Sequence, residues 1–296
     1  MASKKMVHMN QGQGEKSYAR NFGIQNSQQN RMKLLIEKAI IDLCSSSSST
    51  LLPDKMVIAD LGCSSGPIAL ALVSVAVEVI HGYCLQFQQP PPELCVFLND
   101  LPDNEFNTPS NQWPCYRDGS LHWLSKAPEV LTRNQIPAYY INEHARREKL
   151  PMMVVSIIGR HSDGIAPFHI WDILAQVLSI MASEGVIDKA KFDSFYLPVY
   201  GPSKEDLREI IQEEGSFSIK EFLVHDFLSD LDSALVTPSW IANQIRAVYE
   251  QIVVQHFEDV MDEFVRIAER RWSLDTSLLQ EEHAGLAMLT LSVAKA

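Results

Sequence analysis

This chain of 296 residues has few cysteines, a deficit of basic residues and no long apolar run. Its five cysteines form no CxxC pair and no Cys/His metal spacing, which is typical of free thiols in a reducing compartment. Lys and Arg number 25 against 37 Asp and Glu, and the net charge of -12 argues against a nucleic-acid-binding surface. The apolar stretches are too short for a membrane span, and the N-terminus lacks a signal-peptide core. We therefore expect a cytoplasmic protein that binds neither nucleic acid nor a membrane.

The most informative segment covers residues 56–67, with the sequence MVIADLGCSSGP. Its apolar run predicts a buried strand that ends near Asp60, and a small-residue turn then leads into a helix beginning at Pro67. Glycines let the backbone bend sharply and approach a ligand closely. The helix N-terminus adds free N–H groups and a partial positive charge. This pattern predicts a nucleotide-like ligand at the mouth of an α/β sheet.

A second apolar run, residues 94–98, is followed by Asn99 and Asp100. Two strands separated by a helix form a βαβ unit and therefore a parallel sheet, in which Asp100 would lie beside the end of the first strand. An acidic side chain there is placed for ribose hydroxyls. The chain has neither GxxxxGK[ST] nor GxGxxG, so an adenosine-type ligand is favoured over a P-loop nucleotide or a dinucleotide.

Apolar residues elsewhere recur with helical or strand periods. The predicted helices cover residues 25–43, 67–81, 169–184 and 203–214, with a long helix from Thr237 to about residue 271. The predicted strands cover residues 152–158, 216–224 and 286–293. Because strands alternate with helices throughout, the fold class is α/β. Residues 1–23 are polar and predict an extended arm that could close over a site.

Residues 62–66 also match G-x-S-x-G, the nucleophile elbow of hydrolases, at a strand-to-helix turn. Ser64 would then be the nucleophile. Its candidate partners are Asp188 or Asp193 and His225 or His256. Two observations argue against this reading: no His-Gly oxyanion segment precedes the turn, and few residues lie upstream to build the strands that normally come first.

The run at residues 120–125 contains His122 and Trp123 side by side. Such residues are usually part of a core. The functional alternative is an aromatic wall with N–H donors for an acidic small molecule. From the residues alone, both interpretations stay open.

Five segments taken together resemble the plant SABATH methyltransferases. They are His8–Asn10, Ser17–Asn21, Asp60–Pro67, Leu98–Pro102 and Ser120–Ser125. That family uses S-adenosylmethionine (SAM) to methylate carboxylates such as salicylate, benzoate, jasmonate or indole acetate and, in one branch, xanthine nitrogens. The likeness continues in order through Gly159-Arg160, residues 195–203 and Arg246-Ala247-Val248, and covers nearly the whole chain.

The resemblance implies a Rossmann-like class I methyltransferase core with a mostly parallel sheet and an α-helical cap. It implies one domain over residues 1–296, with cap elements from roughly 1–45, 103–150 and 165–250. Family members commonly pair as homodimers. Some members have a metal-binding Asn near the start of the long helix, where this chain has Trp240, so we predict no metal.

The resemblance also assigns site residues. The residues that should line the cofactor are Tyr18, Asp60, Gly62, Cys63, Ser64, Ser65, Asp100 and Leu101. The residues that should contact the substrate are Gln25, His122, Trp123, Trp171 and Tyr200. Within the second set, Gln25 and Trp123 match the pair that hydrogen-bonds the carboxylate. No catalytic base is expected, because a carboxylic acid is already ionised at neutral pH.

Two family segments are missing, one between Asn107 and Ser120 and one between Pro151 and Met153. The first normally supplies residues around the adenine. Two functions therefore stay open: a working carboxyl methyltransferase, and a catalytically impaired homologue that binds a small acid or a partner protein. For the enzyme, His122 and Trp171 favour a flat aromatic acid of the salicylate or benzoate type.

Overall fold

The computed structural model describes residues 9–10, 14–21, 23–46, 52–62, 71–99, 113–117, 120–124, 152–161, 170–197, 199–226, 231, 236–274 and 286–296. The chain divides into two compact units. The first contains residues 1–27, 156–210 and 223–289, and the second contains residues 28–155, 211–222 and 290–296.

The described part of the chain is a mixed α/β structure. Its helices are α1 (Gly23–Ser46), α2 (Ala71–Gln86), α3 (Ile170–Ser183), α4 (Lys189–Ser194), α5 (Lys204–Glu214), α6 (Pro238–Phe257) and α7 (Met261–Leu274). Its strands are β1 (Lys55–Leu61), β2 (Glu93–Asn99), β3 (Trp113–Arg117), β4 (Ser120–Leu124), β5 (Met152–Arg160), β6 (Phe217–Asp226) and β7 (Leu286–Lys295). Among these helices, none is both long and apolar enough to cross a membrane.

Strands β1 and β2 pair in parallel and are joined through α2, which packs against β1. Asp60 lies opposite Leu98, and Leu61 lies opposite Asn99, so both strands end at the same edge. The predicted βαβ unit is therefore confirmed. Asp100, the acidic residue expected after β2, lies outside the described residues.

Strands β3 and β4 form an antiparallel hairpin in which Cys115 lies opposite His122 and Pro114 lies opposite Trp123. The sequence did not predict these strands, because proline and a short two-residue connection leave little alternation to detect. The predicted parallel arrangement consequently holds for β1 and β2 but not for this pair. The side chains of His122 and Trp123 lie outside what the structure describes.

The remaining described strands form a sheet in the order β5-β7-β6. The last strand of the chain is thus the central one. Residues 287–293 of β7 are buried without interruption, as expected for a strand covered on both faces.

A helical layer is built from α3, α4, α6 and α7, which share one apolar core. The core includes Leu174, Ile245, Phe264 and Trp272, each almost fully buried. Helix α6 begins as predicted, with the Thr237 hydroxyl accepting from the Trp240 N–H at 3.2 Å. Helix α3 ends at a positive-φ Gly185, also as predicted.

The predicted single helix from Thr237 to about residue 271 is wrong. The chain breaks after Phe257, because Glu258 has φ +73° and a new helix starts at Met261. No glycine or proline marks the break, and the buried residues Phe257, Met261 and Phe264 keep helical spacing across it. The periodicity therefore concealed a turn that folds α7 back against α6.

Candidate functional site

The edge where β1 ends carries two of the predicted cofactor residues. Asp60 is half-buried in the penultimate position of β1, and Gly62 follows the strand with φ +87°. That conformation is rarely adopted by other residues, which explains the glycine. Among the described residues, no atom lies within 4 Å of where a Cβ of residue 62 would be. The glycine is therefore required by the backbone conformation and not by a close contact with a described residue.

Other predicted cofactor residues at this edge are outside the described residues. They are Cys63, Ser64, Ser65, Asp100 and Leu101. Their roles stay predictions.

The N-terminal arm is not extended where the structure describes it. Residues 18–20 form a 3₁₀ turn that contacts α6, and Ser17 before it is buried. The Ser17 hydroxyl donates to the Gly14 carbonyl at 2.6 Å. Polar residues suggested an extended arm, but their side chains instead close local turns. Tyr18, a predicted cofactor residue, is half-buried in this turn.

Gln25 lies in the first turn of α1, where the helix is packed tightly. Ile24 is buried in a cluster with Met288 and Trp240. A Cβ at Gly23 would lie 2.7 Å from Cζ2 of Trp240, so only glycine allows this approach.

The Gln25 Oε1 atom is buried and has no hydrogen-bond partner among the described residues. One end of the Gln25 side-chain amide is therefore unpaired among the described residues. Leaving a buried polar group unpaired costs about 1–3 kcal/mol. A substrate that bonds to this amide would remove that cost.

Tyr200, a predicted substrate residue, is 66% exposed on the loop before α5. Its hydroxyl donates to Asp206 Oδ2 at 3.0 Å, and the same oxygen accepts from Arg160 Nη2 at 2.8 Å and from the Ser203 N–H at 2.8 Å. The Ser203 backbone bond, followed by the Tyr200, Ser203 and Arg160 side chains, holds the pKa of Asp206 below its ordinary value.

Arg160 fixes the Tyr200 loop onto the end of β5. Its backbone N–H donates to the Pro202 carbonyl at 2.9 Å, and its Nη1 donates to the Gly201 carbonyl at 3.1 Å. The preceding Gly159 lets β5 and the Tyr200 loop approach each other closely, since a Cβ at this position would lie 2.3 Å from the Pro202 carbonyl oxygen. In the sequence, the only indication of this contact was that Gly159-Arg160 is one of the segments that resemble the SABATH family. The side chain of Trp171, the remaining substrate residue, lies outside the described residues.

Three of the four candidate partners of a hydrolase nucleophile make contacts within the helical layer. Asp188 caps α4 by accepting from the Lys191 N–H, and Asp193 pairs with Lys189. His256 Nε2 lies 2.8 Å from the Lys191 carbonyl oxygen. The candidate nucleophile, Ser64, lies outside the described residues.

A carboxylate at a strand end, followed by a positive-φ glycine, has the chemistry needed to hold the adenosyl group of SAM. Among the described residues, no three His, Cys, Asp or Glu side chains come together as a metal site.

A family model described as SAM dependent carboxyl methyltransferase matches residues 4–119 and 144–296. The chain belongs to this family. Its cofactor is S-adenosyl-L-methionine, and its class of reaction is methyl transfer to a small carboxylic acid. The predicted enzyme class and cofactor are confirmed, whereas the assignment of the β1 edge to the cofactor stays a prediction.

Curated relatives of this family member differ in the acid for which they are named. Anthranilate O-methyltransferase 1 of Zea mays is 30% identical, with 100% of this chain and 98% of the relative covered. Jasmonate O-methyltransferase of Arabidopsis thaliana is also 30% identical, with 89% and 92% covered. The first alignment extends over 383 positions, so the relative has stretches that this chain of 296 residues lacks.

Among solved structures, loganic acid methyltransferase with SAH matches with a TM-score of 0.74 at 22% identity. The match covers 97% of this chain and 98% of that chain. The family member therefore has the class I SAM methyltransferase fold, in agreement with the fold predicted from the sequence.

Proposed function

We propose that this methyltransferase converts a small aromatic acid of the salicylate or benzoate type to its methyl ester. The observation that carries the proposal is the unpaired, buried end of the Gln25 amide at the start of α1. With the amide turned so that its NH2 occupies this position, a neutral donor would hold the carboxylate, which leaves the charge of the attacking oxygen intact. A Lys or Arg at this position would bind the acid more tightly but would weaken the nucleophile.

SAM supplies an electrophilic methyl group on a sulfonium. A carboxylate with a pKa near 4 is already ionised at neutral pH, so the chain has no proton to remove. The protein orients the reactants and excludes water, and orientation alone can lower a barrier by roughly 7–11 kcal/mol. We assign cofactor contacts to Tyr18, Asp60 and Gly62, and substrate contacts to Gln25, Trp123 and Tyr200.

The family match on both sides of residues 120–143 supports one methyltransferase domain over residues 1–296. Within it, we propose that the cap is formed from roughly residues 1–45, 103–150 and 165–250. The parallel sheet would then be the cofactor-binding core.

The substrate is tested with a panel of acids and radiolabelled methyl transfer. We expect salicylate or benzoate to give the highest kcat/KM, above anthranilate and jasmonate. A preference for xanthine over every carboxylate would contradict the proposal.

The role of Gln25 is tested with Gln25→Glu, which keeps the shape of the side chain but adds a negative charge. We expect the KM for the acid to rise by about tenfold or more, because a charge-assisted bond is replaced by repulsion. The matched control is Asn26→Asp, which adds the same charge to the same helix turn at an exposed position. Equal effects of the two variants would remove Gln25 from the site.

A second candidate function is a catalytically impaired homologue that binds a small acid or a partner protein. The length difference from the Zea mays relative favours it, because a shorter chain has fewer residues to enclose the adenine. Calorimetry with SAM separates the two: micromolar binding supports the enzyme, and no binding at millimolar cofactor supports the homologue.

A further inference from the structure

Arg246 is a buried charge on α6 whose position is not explained by the apolar core. Its side chain is 6% exposed. Its Nε and Nη2 donate to Glu250 Oε1 at 3.1 and 2.8 Å, and its Nη1 donates to Asp262 Oδ1 at 2.6 Å. Burial lowers the pKa of this guanidinium, but its hydrogen bonds to the two carboxylates outweigh burial and raise it. The charge is therefore fully paired.

The N-terminal arm joins the same group of charges. The Asn10 side-chain amide donates to Glu250 Oε2, the oxygen that Arg246 does not use. Lys16 Nζ lies 2.9 Å from Asp262 Oδ1. The Asn10 backbone N–H donates to the Ala247 carbonyl at 2.8 Å. Both carboxylates thus bridge Arg246 to the arm.

Asn10 also organises the arm itself. It is 8% exposed. Its carbonyl accepts from the Tyr18 N–H at 2.8 Å, and its side-chain amide donates to the Lys16 carbonyl at 3.1 Å. The backbone N–H, the backbone carbonyl and the side-chain NH2 of this one residue are therefore used either to fold the arm or to attach it to α6.

We infer that Asn10, Arg246 and Glu250 form a buried clamp that fixes the N-terminal arm on α6 and thereby positions Tyr18 for the cofactor. Arg246 and Glu250 are positioning residues in this assignment. The helix does not need them for its own packing, since Ile241, Ile245 and Ile252 already bury its apolar face. The effect on the cofactor rests on the proposed role of Tyr18.

The clamp is tested with Asn10→Asp, which places a carboxylate against that of Glu250 without changing the side-chain size. We expect two results. Trypsin should cleave faster after Lys16 and Arg20, because the arm is released. The dissociation constant for S-adenosylhomocysteine, measured by calorimetry, should rise by about tenfold, the equivalent of one lost charge-assisted bond. The control is Asn30→Asp, the same change at an exposed position of α1.

A reciprocal exchange provides the rescue. In the double variant Asn10→Asp with Glu250→Gln, the amide at position 250 can donate to the carboxylate at position 10. Arg246 keeps Asp262 and the amide oxygen as acceptors. We expect trypsin resistance and cofactor affinity to recover in part, because the bond to residue 250 is restored with its polarity reversed while the bond to the Lys16 carbonyl stays lost. Recovery in the double variant that exceeds the sum of the two single effects would indicate that residues 10 and 250 interact directly.

The outcomes separate the clamp from the proposed function. An Asn10→Asp variant that resists trypsin like wild type would overturn the clamp. A released arm with unchanged cofactor affinity would overturn its positioning role. Wild-type protein that binds no S-adenosylhomocysteine would instead contradict the proposed function, and trypsin cleavage would still decide whether the clamp exists.

Discussion

The helical layer and the β1–β2 pair differ in how completely they are buried. The layer of α3, α4, α6 and α7 encloses side chains such as Phe264 and Trp272, which are nearly inaccessible to solvent. Strand β1 has no fully buried residue, and Leu61 at its end is 55% exposed. The helical layer thus has a closed apolar core, whereas β1 is only partly buried and is exposed at its end. Substitutions should therefore affect stability in the first region and binding in the second.

The largest expected effect is that of Phe264→Ala in the helical layer. Removing this fully buried ring should lower the free energy of unfolding by about 3–5 kcal/mol, because a cavity remains in a close-packed core. Urea unfolding followed by circular dichroism measures it. Leu274→Ala at the end of the same helix is the control; that side chain is 80% exposed, so we expect a change within about 0.5 kcal/mol. Similar losses for both would mean that the layer has no closed core.

Replacing glycine by alanine should change the free energy of unfolding in opposite directions at two positions. Gly159→Ala would bring a Cβ within 2.3 Å of a backbone oxygen and 2.6 Å of Leu289 Cδ1. We expect a loss of roughly 1–3 kcal/mol from this overpacking. Gly82→Ala in α2 meets no described atom within 4 Å and should gain about 0.5–1 kcal/mol from helix propensity. A stable Gly159→Ala protein would contradict the close contact between β5 and the Tyr200 loop.

Asp60→Asn tests whether the end of β1 takes part in cofactor binding. We expect the dissociation constant for S-adenosylhomocysteine to rise by about tenfold, since a neutral amide accepts hydrogen bonds less strongly than a carboxylate. The midpoint of urea unfolding should change little. Asp54→Asn, exposed just before β1, is the control for the loss of one charge. A large stability loss with unchanged affinity would assign Asp60 to the fold and not to the cofactor.

The smallest effect concerns acid stability at the rim of the helical layer. Hydrogen bonds from Lys16 and Arg246 hold the pKa of Asp262 below its ordinary value. A carboxyl whose folded-state pKa is lowered stabilises the protein above its unfolded pKa, about 3.9. That contribution is lost as the pH falls through the lower, folded-state pKa. The stability difference between wild type and Asp262→Asn should therefore be constant above about pH 5 and shrink below about pH 4. Urea unfolding of both proteins at each pH measures this difference.

The sequence was sufficient for elements whose signals are local. Periodicity located α1, α3, β1, β2 and β7 to within a few residues. It failed at Glu258, where the helical spacing of buried residues continues through a break. It also missed the hairpin of β3 and β4, because a strand beginning Trp-Pro has no clear alternation.

The sequence likewise predicted some parts of the candidate site and missed others. The turn after β1 could be read from Asp60 and Gly62, because a strand, an acid and a positive-φ glycine are neighbours in the chain. Arg160 and Asp206 were not assigned roles from the residues, since their contact with Tyr200 depends on how a loop packs against a strand.

The sequence by itself determined the family, the cofactor class and the strand that leads to Gly62, since each is recorded in short motifs of neighbouring residues. Only the tertiary structure decided that β7 lies between β5 and β6 and that Asn10 meets Glu250, 240 residues away. The physical reason is that a contact between distant residues is selected by the packing of whole elements. Local propensities do not specify which distant residue will pair with a buried charge.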